Sequence, residues 1–266
     1  MHLQGNIFVV TGGASGLGHQ VVKSIVEQDG YAIIMDINAT GANKAVQSLG
    51  SDKVYSSGSV DVTSEEQVQR AIKGGLSYFN SNNKDKESVP SLLLAGAVLC
   101  SGIVLSPQKI QGYGPDKHLT SYSQFKHVLS VNLLGTYNVA QQVAQTIIEN
   151  NKPLDEDGER GIIITTSSML GLDGTLVGYG TSKAGIAGMT LPLARELASF
   201  GIRVMSIAPG PFETPMKNVL PGANPPVSLF PKRHGYPHEF SDLVLQIITN
   251  PMLNGSVIRL DGGLRG

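Results

Sequence analysis

Apolar residues along the chain come in short unbroken runs, and the segments between them have helical periodicity. Ile7-Phe8-Val9-Val10, Tyr31-Ala32-Ile33-Ile34-Met35, the stretch Leu92 to Leu99 and the stretch Gly161 to Ser168 each read as a strand, with a shorter one at Asp52 to Tyr55. Runs without alternation are buried on both faces, as in a parallel sheet covered by helices. Helical segments are predicted at Val21 to Gln28, Ser64 to Phe79 and Ser121 to Ile148. Strand and helix alternate, which predicts an α/β fold with helices on both faces of a parallel sheet. Asn80 to Ser88 is polar and turn-rich and is expected to be an exposed insertion. Pro107 to Thr120 follows the fourth strand, on the carboxyl edge where such sheets bind ligands.

The first strand leads into Thr11-Gly12-Gly13-Ala14-Ser15-Gly16-Leu17-Gly18 and then a helix. That order builds a phosphate cradle: glycines allow close approach, and the unpaired N–H groups and dipole of the helix N-terminus attract an anion. The glycine spacing departs from G-x-G-x-x-G, and the plain alternative is a tight strand-to-helix turn. The second run ends at Asp36, 18 residues past Gly18. A carboxylate at that strand tip accepts hydrogen bonds from both adenosine ribose hydroxyls and repels a 2′-phosphate. Neither Ser15 nor Ile37 is the base such a phosphate would want. NAD is therefore expected rather than NADP, although a strand-end acid is also a common cap. Cradle and alternation together predict a single-domain, Rossmann-type doubly wound parallel sheet over residues 1–266.

Tyr179 and Lys183 stand four residues apart in Tyr179-Gly180-Thr181-Ser182-Lys183. On a helix this spacing puts an ammonium on the same face as a phenol. A cation beside a phenol lowers its pKa, which makes Tyr179 a candidate acid/base. A drop of ~3 units asks for about 4 kcal/mol, more than a solvated lysine gives, so further positive charge is expected nearby. The same spacing also occurs on ordinary surface helices.

Composition narrows the function classes. The chain has 20 basic and 21 acidic residues and a net charge of −1, so neither a nucleic-acid partner nor an anionic membrane is indicated. Its one cysteine, Cys100, allows no intrachain disulfide and suits a reducing compartment. No apolar run approaches a membrane span. The first strand begins near Ile7, so no cleavable signal is expected, and the protein is expected in the cytoplasm or mitochondrial matrix rather than secreted.

Thr11-Gly12-x-x-x-Gly16-x-Gly18 together with Tyr179-x-x-x-Lys183 resembles the short-chain dehydrogenase/reductase family along essentially the whole chain. The segments Gly188 to Arg195, Gly201 to Gly210 and Asn254 to Gly262 are similar to its type 2 3-hydroxyacyl-CoA dehydrogenase subfamily, also called 17β-hydroxysteroid dehydrogenase type 10. The resemblance implies hydride exchange between NAD and a secondary alcohol or ketone. Tyr179 would act as acid/base, Ser168 would hold the substrate oxygen with Ser167 as the alternative, and Lys183 would hold the nicotinamide ribose. Asn132, flanked by apolar residues, would position a water that links Lys183 to solvent. Gly12, Ser15, Gly16, Leu17 and Gly18 would cradle the pyrophosphate, and Asp36 would take the ribose. Asp61 and Val62 would bracket the adenine, Thr214 would hold the carboxamide and Phe212 would lie near the ring. A homo-oligomer, a tetramer by family habit, is implied as well.

Two departures stand out. Leu99-Cys100-Ser101-Gly102 stands where the family usually has Asn-Asn-Ala-Gly; the similar subfamily also has a cysteine at the second place, so the resemblance implies that Cys100 and Gly102 neighbour the adenosine ribose through their backbone, and with no base placed nearby Cys100 is not expected to be a nucleophile. The Ser168 to Tyr179 segment is shorter than usual, which reshapes one wall of the substrate pocket. The proline-rich stretch, about residues 211–237, is expected to be a substrate lid. Its apolar Val219, Leu220, Val227, Leu229 and Phe230 would suit an acyl chain or steroid, and Lys217, Lys232 and Arg233 could meet CoA phosphates. His234 and His238 have a metal-like spacing, but Pro237 between them argues against a helical ligand pair, and no metal is expected. The expected partner is a small molecule: an acyl-CoA, a ketone or a steroid-like alcohol. The alternatives are a broad ketoreductase or secondary-alcohol dehydrogenase and a cofactor-bound scaffold.

Overall fold

The computed structural model describes residues 1–50, 52–82, 92–109, 118–218 and 227–265. First come β1 (Asn6–Thr11), α1 (Gly16–Glu27), β2 (Tyr31–Asp36), α2 (Ala39–Leu49), β3 (Val54–Ser59), α3 (Glu65–Asn82) and β4 (Leu93–Leu99). The two-residue strands β5 (Gln108–Lys109) and β6 (His118–Leu119) pair antiparallel, apart from the main sheet. Then follow α4 (Tyr122–Leu129), α5 (Gly135–Asn150), β7 (Gly161–Thr166), α6 (Met169–Leu172), α7 (Val177–Leu197), β8 (Ile202–Pro209), α8 (Pro237–Thr249) and β9 (Val257–Leu260).

Seven strands form one parallel sheet in the order β3-β2-β1-β4-β7-β8-β9. Successive residues of β1 point to opposite faces, and both faces are dry. Ile7 and Val9 pack with Ile33, Met35, Val68, Val143 and Leu193, which covers one face with α3, α5 and α7. Phe8 and Val10 pack with Ala32, Ile34, Val22, Ile25, Phe240 and Val244, which covers the other with α1, α2 and α8. This two-sided burial is the physical cause of the unbroken apolar runs. Chain direction across the sheet reverses between β1 and β4, so the carboxyl ends of these two strands open a crevice where ligands bind in doubly wound sheets. There the Cys100 amide donates to the Thr11 carbonyl at 3.2 Å, and the Ser101 amide to Thr11 Oγ1 at 3.0 Å.

Several boundaries differ from the sequence expectation. The segment Ser121 to Ile148 is α4 and α5 joined by a π-turn, Ser130–Leu134, which carries Asn132. The π-turn continues helical backbone from α4 into α5 without a break, so the pattern reads as one helix. Helix α1 begins at Gly16, inside the glycine turn. Helix α3 runs on to Asn82, into the start of the expected insertion, and the rest of that insertion lies outside the described residues.

The stretch expected to be a lid is described in two pieces. Val219 and Leu220 lie outside the described residues, as does the side chain of Lys217. Leu229 is 66% and Phe230 82% exposed, and their amides donate to the Gly262 carbonyl at 3.1 and 3.2 Å, which anchors this piece to the C-terminal turn. Neither residue, nor Val227, lines the main cleft. The Arg233 guanidinium, expected for phosphates, is held by both carboxylate oxygens of Glu239 at 2.8 and 2.7 Å and lies over the Tyr236 ring.

Candidate active site

The crevice opens into a cleft of about 830 Å³. Every residue named above for cofactor or catalysis lines it except Asn132, which is fully buried behind it.

At one end lies the glycine turn. Gly12 has φ +68°, and a Cβ there would stand 3.2 Å from the Cys100 carbonyl, so only glycine fits where β1 and β4 meet. Gly16, at φ +56°, opens α1. No side-chain bond caps that helix at Ser15, and no acid stands in its first turn, so its positive end faces the cleft. These features fit the pyrophosphate of a dinucleotide. At the tip of β2, Asp36 is oriented by two amides, Ala14 to Oδ2 at 3.1 Å and Asn38 to Oδ1 at 2.9 Å. The same carboxylate thus braces the glycine turn and faces the cleft. Asp61 accepts from the Thr63 amide and hydroxyl at 2.9 and 2.8 Å, and the Val62 carbonyl accepts from Asn138 Nδ2 at 2.8 Å. Thr214 stands across from Gly16, its Cβ 3.4 Å from where a Gly16 Cβ would be. Phe212 packs edge-on against Phe240 and is bridged to Gly235.

Helix α7 brings Tyr179 and Lys183 to the same cleft on one face. The Lys183 side chain is almost wholly buried, with Nζ donating to the Thr166 carbonyl at 2.7 Å and lying 5.7 Å from the centre of the Tyr179 ring. Burial lowers its pKa to about 8, against a smaller upward pull from Cys100. Tyr179 departs from the sequence expectation: burial pushes its phenol upward, and the hydrogen bond with Ser168 pulls the other way. The Lys183 ammonium is engaged by the Thr166 carbonyl, and positive charge beside the phenol is what would favour the phenolate. The Cys100 thiol is pushed up to about 11 by burial, with opposing effects from Thr166 and Lys183; it is a poor nucleophile.

The two serines part company. Ser168 caps α6, accepting from the Leu170 amide at 3.2 Å, and meets Tyr179. The Ser167 hydroxyl turns to α7 and donates to the Lys183 carbonyl at 2.7 Å. Asn132 is a junction: Oδ1 accepts from the Ile103 amide at 2.7 Å, and Nδ2 donates to the Ile103 carbonyl and to Ser182 Oγ, each at 2.9 Å. Ser182 in turn donates to the Tyr179 carbonyl at 2.7 Å. Gly102 lies between this amide and the lysine, since a Cβ there would be 3.3 Å from both Asn132 Oδ1 and Lys183 Nζ.

Thr11, which the sequence marks only as part of the glycine motif, and Thr166 and Ser182, to which it assigns no role, hold this geometry. Thr166 acts through its backbone carbonyl, which no side-chain motif can signal. His234 Nδ1 lies 3.0 Å from Glu213 Oε1 while His238 stacks on Tyr236, so the two histidines serve different contacts. Among the described residues, no group of three or more His, Cys, Asp or Glu is placed to hold a metal ion. Nor is any of their helices long and apolar enough to cross a membrane.

A helix-bound cradle facing a buried lysine, a phenol and a hydroxyl across one cleft is the architecture of a dehydrogenase. The chain belongs to the short-chain dehydrogenase/reductase family: the family model described as short chain dehydrogenase matches residues 6–223. It is 39% identical over 272 residues to the 3-hydroxyacyl-CoA dehydrogenase type-2 of Homo sapiens, covering 99% of this chain and 96% of that relative. It is 34% identical over 269 residues to the ipsdienol dehydrogenase of Ips pini, covering 99% and 98%. The crystal structure of 3-hydroxyacyl-CoA dehydrogenase type-2 from Mycobacterium avium matches with a TM-score of 0.80 at 34% identity, over 98% of this chain and 96% of that one. The protein is an oxidoreductase acting on CH–OH groups.

Proposed function

We propose that the protein interconverts a 3-hydroxyacyl-CoA, or a similar hydrophobic secondary alcohol, with its ketone, using NAD. The observation that carries this reading is the meeting of Tyr179, Ser168 and Lys183 in the same cleft as the glycine turn. A nicotinamide dinucleotide held by Gly12, Ser15, Gly16, Leu17, Gly18, Asp36, Asp61, Val62, Cys100, Gly102, Phe212 and Thr214 supplies the hydride chemistry when bound. In reduction, Tyr179 gives its phenol proton to the substrate oxygen; in oxidation, its phenolate takes that proton back. Ser168 donates a hydrogen bond to the same oxygen and orients it. The Lys183 cation favours the phenolate and holds the nicotinamide ribose, and Asn132 positions a water that passes protons between this lysine and solvent. Preference for NAD rests on the Asp36 carboxylate, which repels a 2′-phosphate.

The sequence likeness to the type-2 dehydrogenases supports the acyl-CoA substrate, and with it a single domain with a substrate lid, a homotetramer, and residence in the cytoplasm or mitochondrial matrix. A broader secondary-alcohol dehydrogenase is the second reading, favoured by the engagement of Arg233 with Glu239 and by the relative named for ipsdienol. Initial rates with NADH and NADPH, on acetoacetyl-CoA and on CoA-free ketones, test both. Strong NADH preference on acetoacetyl-CoA is expected. Turnover of the free ketones alone moves the function to the second reading, and no turnover of any ketone refutes both.

A further inference from the structure

Two leucines that line the cleft come from pieces distant in sequence, Leu176 in the connection from Ser168 to Tyr179 and Leu264 in the C-terminal turn. One side chain joins them. Arg259, on β9, grips both carboxylate oxygens of Asp173 at 2.7 and 2.8 Å, in the fork-to-fork geometry that gives such pairs direction as well as strength. Its Nη2 also donates to the Leu264 carbonyl at 3.2 Å, and its Nε to Asp261 Oδ2 at 2.6 Å. Asp261 is itself fixed by the Gly263 amide at 3.0 Å and by Arg265 at 3.1 Å. The guanidinium is therefore held on three sides, and its pKa is raised further by the carboxylates.

The connection that Arg259 grips is pressed against the catalytic helix. Asp173 ends α6, whose first residue follows Ser168. A Cβ on Gly171 would come within 2.7 Å of the Lys183 carbonyl carbon, and one on Gly180 would collide with the Thr175 carbonyl. The Thr175 amide donates to the Leu170 carbonyl at 3.1 Å. Next comes Leu176 at φ +56°, one of two non-glycine residues with positive φ among the described residues. A leucine persists there only when its surroundings over-determine it. With backbone against backbone on the α7 side, the remaining freedom of this short connection is to swing away from the C-terminal turn, and Asp173–Arg259 opposes that motion.

We propose that the Asp173–Arg259 pair is a positioning and specificity device: it ties Leu176 to Leu264 and so sets the width of the substrate wall beside Tyr179. Asp173 and Arg259 act through those leucines and do not themselves line the cleft. The inference rests on the dehydrogenase reading for its substrate, but not for its mechanical content.

The test uses the full chain with Asp173→Asn, which keeps the shape and removes the charge, and Arg259→Lys, which keeps the charge and removes the fork. Wild type and both variants are assayed with NADH on acetoacetyl-CoA and on 3-oxohexadecanoyl-CoA, and hydrogen exchange is followed at the Thr175 amide. Both variants should shift the ratio of kcat/KM toward the longer chain by about fivefold or more, with NADH affinity within about twofold of wild type. Protection at Thr175 should fall by about tenfold. An unchanged ratio, or equal loss on both substrates together with loss of NADH affinity, overturns the proposal. A wild type silent on every ketone refutes the dehydrogenase reading instead, and the exchange measurement then judges the strut alone: unchanged protection overturns it.

Discussion

Lys183 and Thr166 clamp the two halves of the site, the lysine ammonium donating to the threonine carbonyl at 2.7 Å across the gap between α7 and the end of β7. Ser167 closes the clamp from the other side by donating to the Lys183 carbonyl at 2.7 Å. Helix α7 is thus fixed to the sheet by the same cation that would tune the phenol. The arrangement keeps a nearly solvent-free ammonium in place, and that has a measurable consequence for stability.

An unfolded lysine titrates near 10.5, whereas burial lowers Lys183 to about 8 in the folded chain. Between those values the folded state binds fewer protons than the unfolded one, so stability rises with pH across the window. Below about 8 the full cost of burying the charge is present. The variant Lys183→Met lacks this dependence, so its stability relative to wild type should decline as pH rises from about 8 to 10.5, by on the order of 3 kcal/mol. Urea denaturation of both proteins at pH 7 and above pH 10 measures the change; a relative stability that is flat or increasing across the window contradicts it.

Ser167 and Ser168 make separate contacts, whose consequences their alanine variants should separate. Ser168→Ala removes the hydroxyl that meets Tyr179 and caps α6, and should lower kcat by about 100-fold while costing about 1 kcal/mol of stability through the lost cap. Ser167→Ala breaks the bond to the Lys183 carbonyl in a buried setting and should cost about 1 kcal/mol of stability while kcat stays within about tenfold. Steady-state kinetics distinguish the two, and thermal melts measure both stability costs. The opposite kinetic pattern transfers the substrate oxygen to Ser167.

Tyr179→Phe keeps the ring and deletes the proton. Turnover should fall to about 1% of wild type or less, because general acid–base help of this kind contributes about 10²–10⁴ in rate. NADH affinity should be preserved, and the absence of tryptophan makes a fluorescence titration of NADH clean. Retention of more than a few per cent of the wild-type turnover would remove Tyr179 from the chemistry.

Much of this was legible in the chain. Ile7 to Val10, Tyr31 to Met35 and Leu92 to Leu99 announced themselves as strands because a strand covered on both faces has no polar position to interrupt it. Tyr179 and Lys183 share a face of α7 because helical periodicity is local. Other features escaped the pattern for equally physical reasons. The π-turn at Ser130–Leu134 inserts its extra residue into a stretch whose side-chain chemistry is ordinary for a helix. Leu229 and Phe230 read as apolar lining, yet backbone bonds to Gly262 hold them at the surface, and hydrophobicity alone does not say which way a loop residue faces.

The sequence by itself determined the α/β alternation, the glycine turn at the first crossover, Asp36 at the next strand tip and the phenol–ammonium pair, since each is written in residue types at short separations. The tertiary structure alone decided which serine meets Tyr179, that burial raises this phenol while Thr166 engages Lys183, and that Arg259 reaches Asp173, 86 residues away. Those relationships depend on backbone carbonyls, on desolvation and on contacts between distant segments, and all three come into existence only when the sheet has brought its strand ends together.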